Sequence, residues 1–492
     1  MKKLFLTIMI LAPMFIWAQT ENDMLDFSTV YYQGTAKSAA MGNAMGAVGN
    51  DFSAIAINPA GLGLFRKSTF TFTPDLSITS VESNYKGNNG FDRAFKLQSN
   101  NIGLTWTQDF NDETLSSVSI ALGINKLNNY KSNIFVNGEN PNTSLIDAYI
   151  SELYENGINN DVALEDYSPN GIFPLWDTYL LDFYDDGSIG SDVPQGGLKQ
   201  QYGVSKTGYM REFNFASGFN FNEKLFLGVA LDFPYFDRNI TNEYKETNLS
   251  SSDSFKNWTQ TEYIKNSGIG VNAKFGAIVF PARWLRLGAS FHTPTIYNVT
   301  ESWYTNTRSV FSNDIYTHES PTGTYKYIVT TPLRLNASVA FIFGNFGMIT
   351  GDYEYVDYSK MRASSHDYDY TNFNDFIRDF YKATSNLRFG TEWRWQSLAF
   401  RAGYAIYGSP FGFDSENLKT TSYSCGFGYT YYRFTFDAAY VLSHRNNSYD
   451  LYSQYSLYPA YYGENNEFVD DTKVKETTNI HQLVISFKFR LD

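Results

Sequence analysis

From residue 66 onward, apolar and polar residues alternate with a period of two, the signature of strands with one face on each side of a sheet. In 385–395, Leu387, Phe389, Thr391, Trp393 and Trp395 share one face and Arg388, Gly390, Glu392 and Arg394 the other. In 325–343, Tyr327, Val329, Leu333, Leu335, Ala337, Val339, Phe341 and Phe343 oppose Arg334, Asn336 and Ser338. The last such run sets Leu483, Ile485, Phe487 and Phe489 against Gln482, Ser486, Lys488 and Arg490. Polar residues on one face and apolar ones on the other suit a barrel in a membrane, because lipid satisfies no polar group whereas a lumen does.

The pattern predicts strands at 66–82, 97–110, 114–130, 207–220, 225–241, 261–280, 285–300, 325–343, 346–358, 385–395, 398–408, 419–431, 433–445 and 474–490, about fourteen and hence an even number. Their connections fall into two classes. Those at 111–113, 222–224, 281–284, 344–345, 396–397 and 431–433 are tight, and those at 131–206, 242–260, 301–324, 359–384 and 446–473 are long, polar and rich in tyrosine. Strict alternation of the two classes puts all short turns at one end of a barrel. Trp284, Phe343, Phe346, Trp393, Trp395, Tyr429 and Tyr431 lie near the tight turns, where an interfacial aromatic girdle belongs.

Three loop stretches have helical spacing instead. In 144–157, Leu145, Ile146, Tyr149, Ile150 and Leu153 form one face, with Ser144 and Asp147 as a capping pair and Gly157 as a stop. In 173–187, Pro174 stands in the first turn and Leu175, Trp176, Tyr179, Leu180 and Phe183 share a side. Phe373, Phe376, Ile377 and Phe380 make a third short face.

Composition agrees with a strand-rich chain: the 492 residues include 38 tyrosines and 41 phenylalanines against 14 prolines. A net charge of -13 with scattered lysines and arginines offers no stripe for a nucleic-acid backbone. The lone Cys425 excludes internal disulfides and cysteine-based zinc sites. The five histidines, His292, His318, His366, His444 and His481, are widely separated, and no GxSxG or HExxH occurs. Neither an enzyme, a metal site nor a cofactor is therefore expected. Residues 1–18 read as a signal peptide cleaved near Ala18, with Lys2 and Lys3 before an apolar run too short to cross a bilayer comfortably. The expected division is signal peptide 1–18, an N-terminal hatch 19–65 and a barrel 66–492.

The hatch is expected because a barrel of this size encloses more room than its own side chains fill. Ala36, Ala39, Ala40, Gly42, Ala44, Gly46, Ala47 and Gly49 make a segment thin enough to enter it. The Gly42, Gly46, Gly49 spacing is no phosphate loop, since neither a preceding strand nor a following Lys-Ser/Thr is present.

Met41-Gly42-Asn43-Ala44, Asp51-Phe52-Ser53-Ala54 and Asn58-Pro59-Ala60-Gly61-Leu62, in this order after a signal peptide, resemble the FadL/OmpP1/TodX family of outer-membrane transporters for hydrophobic compounds. The resemblance implies a monomeric, all-β, 14-stranded antiparallel barrel in the outer membrane of a Gram-negative bacterium. It implies a lumenal hatch whose motif falls on Asn58, Pro59, Ala60 and Gly61. Small hydrophobic molecules such as long-chain fatty acids would be caught by outer loops, pass the hatch and leave sideways, with lipid as the surrounding partner. In the family the exit lies at a kink of the third strand, placed here at Gly123 to Asn125, where glycine weakens pairing. Leu175, Trp176, Leu180 and Phe183 are the expected capture residues. Two features depart from the family: the largest loop follows the third strand, and the chain ends Arg490-Leu491-Asp492 rather than on an aromatic. The alternative reading is a secretion-system component or a receptor, its large loops holding a protein partner or haem.

Overall fold

The computed structural model describes residues 21–110, 114–250, 253–412, 418–452 and 472–491. The expected signal peptide and the 111–113 turn lie outside them. The wall is a closed 14-stranded antiparallel barrel. Its strands are β1 (Thr69–Tyr85), β2 (Asn88–Asp109), β3 (Leu115–Asn129), β4 (Leu198–Phe221), β5 (Leu225–Asn248), β6 (Phe255–Ala282), β7 (Leu285–His292 and Ile296–Phe311), β8 (Gly323–Thr330 and Arg334–Phe343), β9 (Gly347–Asp357), β10 (Ala383–Trp395), β11 (Leu398–Tyr407), β12 (Thr420–Tyr431), β13 (Phe434–Asp450) and β14 (Lys473–Arg490). Each pairs with its neighbour in the chain, and β14 closes the ring on β1 from Tyr85↔Val474 to Thr69↔Arg490. All fourteen predicted strands are present.

Several segments expected as long loops are strand instead. β5 runs on to Asn248 and β6 starts at Phe255, so little of 242–260 remains outside the ladder. β7 likewise continues to Phe311, and β13 and β14 reach Asp450 and Lys473. Runs such as Tyr244-Lys245-Glu246-Thr247 keep the period of two, and tyrosine and threonine suit a pleated surface even beyond a membrane. The short turns are hairpins: Asn222 and Glu223 both have positive φ, as a type I′ turn requires.

The faces are as expected in β10, where Arg388 is 0% exposed and Phe389 49%. They are not as expected along the whole of 325–343. Leu333 and Leu335 face outward, but Tyr327 and Val329 are buried inside despite the same parity. Residues 331–333 leave the ladder at Pro332, which has no amide to donate, and the odd count flips the face. The neighbouring β7 does the same at 293–295 around Pro294, bringing Tyr297 and Val299 inside. Threonines replace the lost ladder bonds: the Thr331 amide donates to the Thr295 carbonyl (2.9 Å), and the Thr295 amide to the Thr331 hydroxyl (2.9 Å).

The seven expected girdle aromatics are all exposed near the short turns. Trp284 stacks on Phe341 at 6.2 Å and Phe343 on Trp393 at 5.8 Å, so the belt is made of cross-strand pairs. No helix among the described residues is long and apolar enough to cross a membrane.

At the opposite end the 131–206 connection folds into a strand, Ser132–Asn140, beside β4, and three helices, Leu145–Glu155, Asp161–Tyr167 and Phe173–Asp177. The capping box of Ser144 and Asp147 forms, and Gly157 takes positive φ after the helix. The 173–187 helix ends early. Tyr179 adopts φ 58, which a helix cannot continue through, and Asp182–Phe183 pairs with Ile189–Gly190 as a small hairpin. A fourth loop helix, Thr371–Phe380, carries Phe373, Phe376, Ile377 and Phe380.

Candidate functional site

Residues 21–65 occupy the lumen as two helices, Glu21–Ser28 and Ala36–Ala40, and two 3-10 turns, Phe52–Ala56 and Pro59–Leu64. The last three of these elements are each started by a polar cap, since propensity alone does not hold so short a helix. The Thr35 hydroxyl accepts the Ser38 amide and donates to both Asp51 carboxylate oxygens at 2.9 Å. Asp51 in turn accepts the Ser53 amide at 3.0 Å. Asn58 caps the last turn: its Oδ1 accepts the Ala60 amide (3.1 Å), and its Nδ2 donates to the carbonyls of Gly46 (2.7 Å) and Ala277 (3.3 Å). The Ser290 hydroxyl and His292 Nε2–H, both on β7, donate to the Ile57 carbonyl at 2.6 and 2.9 Å. Asn58, Pro59, Ala60 and Gly61, predicted as the hatch motif, are thus buried and tied to both hatch and wall.

The wall is cut to receive them. Gly218, Gly228 and Gly276 stand directly opposite one another across β4, β5 and β6. A Cβ on Gly228 would lie 2.2 Å from the Ala60 nitrogen, and one on Gly276 1.9 Å from Asn58 Oδ1. A second facing pair, Gly390 and Gly403, meets Met41 and Gly42, and a third, Gly103 and Gly123, lies flat under the Phe52 ring. Glycine in the hatch was legible as thinness; these wall glycines are its counterpart, and of them the sequence marked only Gly123, as a kink.

Several buried lumenal charges are paired, as burial favours. Arg238 binds Asp26 at 2.8 Å and also Asp23, both on the first hatch helix. Arg334 and Arg388 share Glu354 at 2.9 and 3.3 Å, and the Arg388 guanidinium lies 4.9 Å from the Tyr32 ring centre. Lys126 pairs with Asp75 (3.0 Å), Lys274 with Glu212 and Asp232, and Arg401 with Glu392 and Asp437.

One part of the wall is incompletely paired. The β2–β3 ladder runs from Asp109↔Ser117 to Asn101↔Asn125 and stops, although β2 stays on β1 as far as Asn88. The opening expected from a kink at Gly123 to Asn125 takes another form. β3 remains paired to β4 through Gly123↔Asn214 and Asn125↔Glu212, and it is β2 that departs. The hatch takes the vacated place: Gln33 bridges Lys126, and the Tyr31 amide donates to the Leu127 carbonyl (3.0 Å). Above it Lys96 Nζ donates to Asn129 Oδ1 (3.0 Å) and to the Gly208 carbonyl of β4. Both side-chain polar atoms of Asn101, and the amide oxygens of Asn100, Asn125 and Gln33, are buried without a hydrogen bond among the described residues. A cavity of about 10 Å³, room for one water, adjoins Gln33, Gly34, Asn125 and Lys126.

On the loop side of the hatch lies an apolar cluster that includes Met24 and Phe27 from the hatch with Met210, Phe236, Tyr297 and Val329 from the wall. It was missed because Tyr297 and Val329 reach the lumen only through the face change at the two prolines. The residues expected to catch ligand are placed differently. Leu175 and Leu180 are fully buried and Trp176 and Phe183 half-buried, all packed with Ile146, Leu153 and Trp258 in the core of the loop cap. Helices this short hold only by burying an apolar face, so these side chains are spent on the cap itself. Its hub is Glu246, which accepts from the Ser144 hydroxyl, the Leu145 amide, Gln200, Tyr244 and the Trp258 indole.

No protein-family model and no curated protein matches the chain. Among solved structures, a FadL homologue of Pseudomonas aeruginosa superposes with a TM-score of 0.56 at 12% identity, covering 94% of this chain and 100% of that one. The P. putida toluene transporter TodX gives 0.54 at 12% identity, covering 94% and 99%. At such identity the likeness is one of architecture, and it extends over nearly the whole of both chains: this protein has the FadL-type fold.

Proposed function

We propose that the chain is an outer-membrane channel for small hydrophobic molecules, working by passive, hatch-gated lateral diffusion. The observation that carries the proposal is the end of the β2–β3 ladder at Asn101↔Asn125, where a hatch segment, and not a wall strand, completes the ring. An apolar molecule would enter the cluster around Met24 and Phe27 by displacing them, then leave for the bilayer where Gln33 yields. No charge would have to be exposed to lipid, because the neighbouring Lys126 keeps Asp75 as its partner. FadL homologues and TodX share the architecture, and the toluene transport named for the latter fits such a path. Diffusion down a gradient calls for no cofactor, and the reading needs no second subunit.

Planar-bilayer recording tests it. The intact protein should pass no steady current, whereas deletion of residues 29–65 should leave a barrel with large, steady conductance. A large steady current from the intact chain would sink the proposal. Ligand soaking is the complement: density for an acyl chain or arene beside Met24 and Phe27 is the expected result.

A further inference from the structure

Inside the barrel Lys126, Arg238, Lys274, Arg334, Arg388 and Arg401 have carboxylate partners, but the cations at the short-turn end are laid out differently. Arg283, Arg433 and Arg490 are exposed and form no ion pair among the described residues; Arg394 and Arg66, also exposed, pair with Glu392 and Glu223. Each stands next to an aromatic in the chain, as Arg283-Trp284, Trp393-Arg394-Trp395, Tyr432-Arg433-Phe434, Phe489-Arg490 and Phe65-Arg66. These positions lie on the β6–β7, β10–β11 and β12–β13 turns and at the β14–β1 seam. Four of the five consecutive short-turn connections from β6 round to β1 therefore carry arginine beside an aromatic; the fifth, Phe343-Gly344-Asn345-Phe346, carries aromatics alone. The exposed acid Asp109 falls outside this arc, near the β2–β3 turn, whereas Glu223 reaches Arg66 from the β4–β5 turn. In a chain of net charge -13, an arginine arc at one end runs against the average.

We propose that this arc binds the phosphodiester headgroups of anionic phospholipid in the leaflet at the short-turn end. The inference rests on the reading of the barrel as membrane-spanning. Tryptophan and tyrosine rings settle at headgroup depth, so the adjoining guanidinium groups lie level with phosphate. A guanidinium fork matches two phosphate oxygens at once, which an ammonium does not, and the arc's exposed cations are arginines apart from Lys67 at the seam. The arc covers the side from β6 to β1, and the β2–β3 and β4–β5 turns carry no arginine, so lipid held on the arc would not obstruct the gap.

The test uses the full-length protein inserted in mixed phosphatidylglycerol and phosphatidylcholine vesicles, extracted in mild detergent, with retained lipid quantified. Retained lipid should be enriched in phosphatidylglycerol, and the enrichment should fall by about fivefold for each arginine removed. Arg283→Gln/Arg394→Gln/Arg433→Gln should lower it by about a hundredfold, while Arg93→Gln/Lys265→Gln/Lys326→Gln, which removes three exposed cations elsewhere on the wall, should preserve it. Heat-modifiable gel migration checks that each variant is folded. If the triple variant does not fold, molar salt applied to the wild type should release the same excess. An inserted barrel with no preference, a folded triple variant that keeps it, or an excess insensitive to salt overturns the proposal. A chain that fails to insert at all overturns the membrane reading instead.

Discussion

The amide of Asn58 joins three things with one side chain: the start of a 3-10 turn, the Gly46 carbonyl of the hatch and the Ala277 carbonyl of the wall. Asn58→Ala removes a cap and leaves buried carbonyls short of a donor, a loss of about 1–3 kcal/mol. The expected outcome is a folded barrel with flickering current, read by single-channel recording. Asn58→Asp should behave similarly, because the carboxylate still caps but cannot donate. Gly228→Ala is the sharper probe. Its methyl collides with Ala60, and overpacking of this kind costs about 1–3 kcal/mol, so the hatch should unseat. Gly203→Ala, whose Cβ meets nothing within 4 Å, is the control and should leave the current and the thermal stability unchanged.

Among the elements, the loop cap is the part that senses pH. Burial pushes the Glu152 carboxyl up to about 7, with Glu155 adding to the rise and the Tyr167 hydroxyl opposing it; burial likewise carries Asp147 to about 6 against the pull of the Ser144 amide. A carboxyl whose folded pKa is raised holds its proton more tightly when the cap is formed. The cap is then most stable below the ordinary carboxyl range, loses stability as pH rises towards about 7 and is flat above it. Hydrogen exchange of Leu145–Glu155 should accelerate between pH 5 and 7, and Glu152→Gln should flatten most of that slope. An exchange rate that slowed over this range, after correction for intrinsic chemistry, would contradict the assignment. A second element-level expectation concerns the first hatch helix: Met24→Ala/Phe27→Ala, by vacating the apolar cluster, should raise binding of a fluorescent hydrophobic probe.

The strands, the parity of their turns and the cap of the Leu145–Glu155 helix were legible because each follows from local rules: a period of two, a capping pair, a stop at Gly157. What was not legible involved partners far apart in the chain. Nothing in the local sequence says that Gly218, Gly228 and Gly276 line up, nor that two prolines, Pro294 and Pro332, meet side by side and turn two aromatic faces inward. The buried state of Leu175 and Leu180 was hidden for the same reason, since an amphipathic face looks the same whether it waits for a ligand or rests on Trp258.

For the whole molecule, the lumen is held by ion pairs and glycine seats distributed around the ring. Removing the hatch deprives Arg238 of Asp23 and Asp26 and uncovers three glycine patches. The hatchless barrel should stay closed through its ladders yet lose heat resistance, seen as a lower temperature for the shift in gel migration. If that temperature were unchanged, the hatch would be a passenger and not a support.

The seating of the hatch also bears on how the protein is made. The Ala36 amide donates to the Ser486 hydroxyl at 2.6 Å, and the Ser424 hydroxyl donates to the Ala40 carbonyl at 3.1 Å, so the second hatch helix rests on β14 and β12. The segment synthesised early thus waits for strands synthesised last. Once β14 has zipped to β1, a folded cork wider than the strand gaps is enclosed by a ring with no free edge. Assembly must therefore gather the cork and the strands together, and the final seam acts as a latch that shuts only around a complete cargo of its own chain.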